Sequence, residues 1–351
     1  SGRAGETGEA MRLVLDGYFN DVNEQGGIFG RRIELLTVPM AGTVDASIST
    51  LRDAFESEGI FALVGAYTIG LDNELLTFLR SDNVPMVGPF TLDPGDAYFD
   101  AAAFYLYAGL NEQVRVLADR AVADGAAPGQ VLIVGPEGER AAAIASAAKD
   151  QLRKKDRDNP PTVTSYAPGD FDAGDIAEGV AQEGSEALIF LGAQAEFDAL
   201  IAELANQAPV PRIYLLSSLI SRPLADIPTV FDKRVFLAYP TLSSDISPRG
   251  RQEYQELAST YSLPTDHVQA QLAALAAAKL FVEGLRKGGR NLSRVRLIEG
   301  LETLYAFDTG VTPPLSYGPN RRVGARGAHI VSVDLENKTY RPVGKGWYDV
   351  Q

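Results

Sequence analysis

Residues 61–91 read FALVGAYTIGLDNELLTFLRSDNVPMVGPFT. Residues 61–65 are a short apolar run ending in glycine, the pattern of a strand buried on both faces. Residues 66–70 follow as a loop. Leu71, Leu75, Leu76 and Leu79 then recur at helical spacing along one side of residues 72–83. Residues 84–88 are a second short strand, again closed by glycine, and a second loop begins at Pro89. Strand, loop, helix and strand in this order form a right-handed crossover unit of a parallel sheet. Ligands in such sheets sit outside the carboxyl ends of the strands. The loops at 66–70 and 89–92 are therefore expected side by side at one edge of a cleft.

The same grammar runs through the rest of the chain. Residues 7–24 carry Met11, Leu13, Val14, Leu15, Tyr18, Phe19 and Val22 and read as an amphipathic helix, stopped by Gly26 and Gly27. Residues 32–38 read as a strand and 44–58 as a helix. A parallel sheet of this kind usually opens on a strand rather than a helix. The expectation is a first strand upstream of Ser1, or completion of the sheet by another route. Residues 104–109 read as irregular. Beyond them, strands are expected at 130–135, 162–166, 187–192, 212–217 and 235–239. Helices are expected at 111–124, 139–155, 175–182 and 196–206. Three further helices, 247–260, 266–288 and 293–304, do not extend this alternation, and they return to the first lobe. Ser293 reads as the N-cap of the last. Residues 328–335 and 339–343 alternate around Glu336-Asn337-Lys338 and read as a β-hairpin. The result is two α/β lobes joined by crossings near Tyr107, Tyr239 and Ser316, an arrangement that makes a hinge.

Composition narrows the function. The chain has 351 residues, 45% hydrophobic and 22% charged, with a formal charge of −14. Two domains fit that length, and no apolar run reaches the roughly 18 residues of a membrane helix. A net-acidic chain is a poor partner for a phosphate backbone, so no nucleic acid is expected. The absence of cysteine removes disulfides, thiolate catalysis and cysteine metal sites. No hydrolase elbow, phosphate loop, dinucleotide fingerprint or zinc motif is present, so neither an enzyme nor a cofactor is expected. His267 and His329 have no histidine partner at metal-ligand spacing and read as surface or core filler. Residues 170–175 lack the full order of a calcium loop and read as a helix cap.

Several segments together resemble one family. NEQGGIFGRRIEL at 23–35 resembles the N-x-x-GGI-x-GR-x-IEL segment of type I periplasmic binding proteins, the Leu/Ile/Val-receptor-like solute receptors of ABC importers. FALVG at 61–65 and NVPMVG at 83–88 resemble that family's paired strands. GRNLSR at 289–294 with Leu301 and Glu302, then YGPNRRVG at 317–324, resembles its C-terminal pattern. The resemblance implies an α/β, two-lobed type I fold, each lobe a parallel sheet flanked by helices. Lobe 1 would comprise 1–107 with 241–316, and lobe 2 would comprise 108–240 with 317–351. It implies a non-enzymatic receptor that closes around a small organic ligand and presents it to a membrane permease. Location would be periplasmic or extracytoplasmic, with a signal peptide removed before Ser1, and a monomer is expected.

The candidate ligand residues are those that such strand ends carry. Thr68 and Thr91 either donate hydroxyls to a ligand carboxylate, beside the helix that starts near Leu71, or cap their own turns. Tyr67 and Phe90 either wall an apolar ligand or pack within the lobe. From the other lobe come the acids Glu137, Glu139 and Glu196, which either meet a ligand amine or are helix N-terminal acids satisfied by the dipole, with Gln194, Ser217 and Ser218 as neutral hydrogen-bonders. Tyr107, Tyr239 and Tyr317 lie at the crossings and either line the back of the cleft or pack the hinge. Arg321, Arg322 and Arg326 form a basic turn that reads as a solvated loop. In amino-acid receptors of the family the first loop is rich in small hydroxyl residues, and the second lobe offers a Tyr after its first strand. Here the first loop is Ala66-Tyr67-Thr68-Ile69-Gly70, and the turn at 135–139 has no Tyr. An amino acid, another carboxylate and a more apolar, lipid-like compound all stay open. The reading from a different class is a ligand-sensing domain of a signalling protein on the same fold.

Overall fold

Two sheets organise the chain. The computed structural model describes residues 3–40, 42–94, 102–220 and 227–350. The first elements are α1 (Arg3–Glu24), α2 (Val44–Glu58), β1 (Leu63–Val64), α3 (Asp72–Asp82), β2 (Met86–Val87) and β3 (Ala103–Tyr107). Next come α4 (Leu110–Ala123), β4 (Val131–Pro136), α5 (Glu139–Lys155), β5 (Thr162–Tyr166), α6 (Ala173–Gln182), β6 (Ala187–Phe190), α7 (Gln194–Leu204), β7 (Arg212–Leu216) and β8 (Val235–Tyr239). The chain closes with α8 (Pro248–Thr260), α9 (Val268–Gly288), α10 (Arg294–Glu302), β9 (Val323–Ala325), β10 (Gly327–Asp334) and β11 (Thr339–Asp349). It divides into two compact units, Ser1–Tyr107 with Thr241–Ala325 and Ala108–Pro240 with Arg326–Gln351.

The first unit holds a four-stranded parallel sheet in the order β1-β2-β3-β9. Its centre is α9, whose alanines 273, 274 and 276–278 are buried. By length and apolar content α9 could cross a membrane, but 72% of that stretch is buried inside the fold. Small side chains let this helix approach the strand ends closely. Gly88, at φ +60, closes β2, and a Cβ there would lie 2.4 Å from the Ala277 Cβ. Gly65, at φ +56, closes β1, where a Cβ would meet Leu15 of α1 at 3.2 Å and Ala277 at 3.7 Å. On its other side α9 packs on α1, with Phe19 and Phe281 edge to face at 6.0 Å.

The second unit holds a seven-stranded sheet in the order β11-β10-β8-β7-β6-β4-β5. Strands β5, β4, β6, β7 and β8 are parallel, while β10 runs antiparallel to both β8 and β11. Strands β6 and β7 are near-continuous apolar runs, as a sheet covered on both faces requires. Local signals set the helix ends. Ser293 caps α10 by accepting from the Arg296 amide at 3.2 Å. Asp172 caps α6 by accepting from Gly174 and Asp175, so the acidic run at 170–175 does serve as a cap.

Several local expectations change. Residues 32–38, read as a strand, pair with no sheet among the described residues. Leu36 is 49% exposed, and the segment is held by Asn23, whose side chain bonds both the amide and the carbonyl of Ile33. An alternating sequence becomes a strand only where a neighbour takes its backbone groups. Conversely, residues 104–109, read as irregular, include most of β3, because β2 and β9 flank it on both sides. Strand β1 is half-buried rather than covered on both faces. The third crossing falls between Ala325 and Arg326 instead of at Ser316, because β9 first returns to pair with β3. In that return the Tyr317 hydroxyl donates to the Tyr105 carbonyl at 2.9 Å. Arg322, read as part of a solvated turn, is 8% exposed; it bonds Glu302 at 2.8 Å and covers the Phe104 ring at 4.7 Å.

The approach of α9 to Gly88 generates a prediction. Gly88→Ala should cost about 2–3 kcal/mol in chemical denaturation, since it adds both left-handed strain and a clash. Gly70→Ala, at φ +86 with nothing within 4 Å of the added carbon, should cost only about 1 kcal/mol from the backbone alone. Equal losses would show that the space beside Ala277 is not the constraint.

Candidate functional site

The site is built where β1 and β2 end. The positive φ of Gly65 and Gly88 turns both chains out of the sheet, and the loops that follow pair with each other. The Phe90 amide donates to the Ala66 carbonyl at 2.8 Å, and the Thr68 amide donates to the Phe90 carbonyl at 3.1 Å. This continuation puts Tyr67 opposite Phe90. Their rings stack at 6.0 Å with planes 27° apart, and both are half-buried. The expected side-by-side loops are present.

Beside these loops Asp72 opens α3, 8% exposed. The Thr68 hydroxyl donates to its Oδ1 at 2.7 Å, and the Thr91 hydroxyl also bonds this carboxylate. Thr91 Oγ1 in turn accepts from the Asp93 amide at 3.0 Å. Each threonine hydroxyl has one proton, and both lie on Asp72 in this structure. Burial raises the Asp72 carboxyl above its ordinary value, partly offset by the two hydroxyls and the Gly70 amide. Sequence reasoning gave Asp72 no role beyond its place on the helix.

A hollow of about 450 Å³ opens beside the aromatic pair. Tyr67 and Phe90 form one wall, Thr7 of α1 lies on another side, and His267 with the first turn of α9 completes it. His267 sits in the left-handed region at φ 59 and gives α9 no side-chain cap. The first-turn amides at 268–270 have no acceptor within the helix, and they carry the positive end of its dipole. Nδ1 of His267 is 3.1 Å from Thr7 Oγ1, and Nε2 is 3.9 Å from a Glu6 carboxylate oxygen. Thr7 and His267 are 260 positions apart, so no local pattern could link them. Chemically the hollow offers an aromatic wall beside hydroxyl, imidazole and amide groups. Among the described residues no cluster of acids and histidines could hold a metal.

The remaining candidates lie elsewhere. Tyr107 ends β3, bonds Thr241, and has its hydroxyl pKa raised by burial. In the second unit, the parallel strands bring Glu137, Gln194, Ser217, Ser218 and Tyr239 to one end of the sheet. Glu137 and Glu139 are exposed. Gln194 opens α7 and donates to Asp198 at 2.7 Å. Glu196 is engaged by its own helix end, accepting from the Ala193 amide and the Tyr166 hydroxyl, both at 2.7 Å. The Ser217 amide donates to the Ala238 carbonyl at 3.1 Å, and Ser218 is exposed. Tyr239 stands edge to face with Tyr340 at 6.3 Å, and its hydroxyl is pushed up to about 12 by burial.

Comparison with known proteins places the chain. Its sequence matches the periplasmic binding protein family over residues 1–339, and the chain belongs to that family. It is thus a substrate-binding protein of a non-enzymatic class of transport receptor, which implies an extracytoplasmic location. No curated protein sequence matches it. Among solved structures it is similar to a branched-chain amino acid ABC transporter protein from Thermus thermophilus with bound valine. That match has TM-score 0.70 and 14% identity, over 99% of this chain and 94% of the other. A periplasmic ligand-binding protein of a branched-chain amino acid ABC transporter from Burkholderia xenovorans matches with TM-score 0.73 and 13% identity, over 98% of this chain and 92% of that one. A fatty acid ABC transporter substrate-binding protein from Thermomonospora curvata matches with TM-score 0.67 and 16% identity, over 98% and 88%. These likenesses establish the type I periplasmic binding fold.

The buried Asp72 generates a second prediction. Its carboxyl is raised in the folded state, so the fold binds that proton more tightly than the unfolded chain does. Its contribution therefore grows as pH falls through the folded value and is lost as pH rises. Asp72→Asn should remove this pH dependence and hold or raise stability at neutral pH. Asp72→Ala leaves the buried Thr68 hydroxyl without its acceptor and should cost about 1–3 kcal/mol. Urea denaturation at about pH 5 and about pH 7 checks both. Equal losses for the two variants would assign the charge, not the hydroxyl partner, the structural role.

Proposed function

We propose that this chain is the extracytoplasmic receptor of an ABC importer and binds a small ligand with a carboxylate on an apolar body. The stacked Tyr67 and Phe90 rings beside the imidazole, hydroxyl and amide groups of the hollow carry this reading. Aromatic faces cover apolar surface, and a helix start favours an anion. Valine and a fatty acid, named for two structural neighbours, share this chemistry. The ligand-binding residues in this reading are Tyr67 and Phe90 as the wall, with Thr68 and Thr91 positioning the loops through Asp72. A membrane permease is the partner, the working form is a monomer, and the compartment is the periplasm or its equivalent.

A thermal-shift panel of valine, leucine, octanoate and the uncharged octan-1-ol tests the ligand class. A ligand at about 100 times its dissociation constant adds roughly 2.7 kcal/mol of stability. At least one carboxylate should raise the melting temperature, and octan-1-ol should not match octanoate. A response to the alcohol alone, or to none of the four, would overturn the carboxylate reading. Tyr67→Ala should weaken binding of the responding carboxylate about tenfold, a loss of ~1.4 kcal/mol. The melting temperature of the empty protein should change little, since the ring is half-buried in a loop. Unchanged affinity would remove Tyr67 from the site.

A further inference from the structure

His267 is the titratable group of the hollow whose place in the molecule nothing above explains. It does not cap its helix, and it occupies a left-handed backbone position without being glycine or asparagine. Its side chain is about a fifth exposed, at 21%, so it is shielded yet reachable from solvent. Thr7 of α1 holds one ring nitrogen at 3.1 Å. This contact orients the ring, and Nε2 is left on the side where Glu6 stands at 3.9 Å. Glu6 is 72% exposed, so at that distance in water it is a weak, screened counter-ion. Tyr67 and Phe90 lie across the same hollow.

We infer that His267 is the specificity-determining residue for the ligand carboxylate, and that its protonation makes binding pH-dependent. The inference rests on the carboxylate reading of the hollow. With the ring neutral, Nε2 offers at most one uncharged hydrogen bond. With the ring protonated, both nitrogens donate: Nδ1 to Thr7, and Nε2 to an anion in the hollow. A charge-assisted hydrogen bond is roughly twice as strong as a neutral one. Histidine is the side chain whose charge ordinarily changes between about pH 5 and pH 8, and the experiment spans that interval. Two described acids face the ring or adjoin it in sequence: Glu6 from α1, and Asp266, which is exposed. Glu6 competes with the ligand for Nε2. Asp72 is held by the Thr68 hydroxyl rather than by the imidazole.

The test is calorimetric titration of the full chain with octanoate and with leucine, at about pH 5.5 and about pH 8, where both carboxylates are ionised. Wild type should bind the accepted carboxylate about tenfold more tightly at the lower pH. His267→Asn suits the left-handed backbone, because asparagine tolerates that region, and it keeps a hydrogen-bonding side chain for Thr7. It should fold with an unchanged melting temperature, bind with the wild-type affinity of about pH 8, and lose the pH dependence. Glu6→Gln removes the competing carboxylate and should tighten binding at about pH 5.5 while leaving about pH 8 nearly unchanged. Affinity equal at both pH values in wild type, or a pH dependence that survives in His267→Asn, would overturn the role of His267 while leaving the carboxylate receptor standing. Failure of wild type to bind either compound at either pH would overturn both.

Discussion

The first unit depends on how closely a helix can approach the ends of two strands. Ala277 of α9 sits against Gly88, where even one added carbon would lie 2.4 Å from its Cβ. The same alanine lies within contact of the space beside Gly65. Larger residues on either side would push the helix off the sheet. Left-handed backbone at both glycines then turns the chain outward at the same level. That shared turn lets the two loops bond to each other and presents Tyr67 and Phe90 as a pair. Packing inside the unit and the wall of the hollow are thus one arrangement seen from two sides.

Asp72 shows how a nearly buried acid can hold two surface loops from within the fold. A carboxylate so nearly buried is costly unless its oxygens are satisfied. Thr68 and Thr91 supply that satisfaction from the two separate loops, so the acid ties the loops together from beneath. The threonines resemble ligand hydroxyls in a sequence read alone, yet their protons point inward here. The other groups that line the hollow come from α1 and α9, which approach from parts of the chain far from the crossover unit.

The second unit repeats the sheet and the strand-end chemistry with different detail. Glu196 closes the start of its own helix and receives the Tyr166 hydroxyl. Such an acid is satisfied within its unit, unlike Glu137 and Glu139, which stand exposed. A family defined by this fold accepts many solutes because sheets and helix ends are generic, whereas the side chains at the strand tips are not.

Much of the architecture was legible in the residues themselves. Short apolar runs closed by glycine, leucines at helical spacing and caps such as Ser293 are local signals, and the local backbone obeys them. The crossovers and the loop pair at 66–70 and 89–92 follow from the same grammar, because a parallel sheet leaves few ways to connect its strands. What failed locally failed for one reason. Residues 32–38 alternate as a strand does, and residues 104–109 do not look like one, yet pairing was decided by neighbours distant in sequence. Arg322 reads as a surface charge, and only the return of β9 to β3 buries it against Glu302 and Phe104. The sequence alone determined the fold class and the aromatic residues at the strand ends. Only the tertiary structure decided that Thr7 and His267, 260 positions apart, meet beside them, because contacts between helices are set by packing and leave no period in the chain.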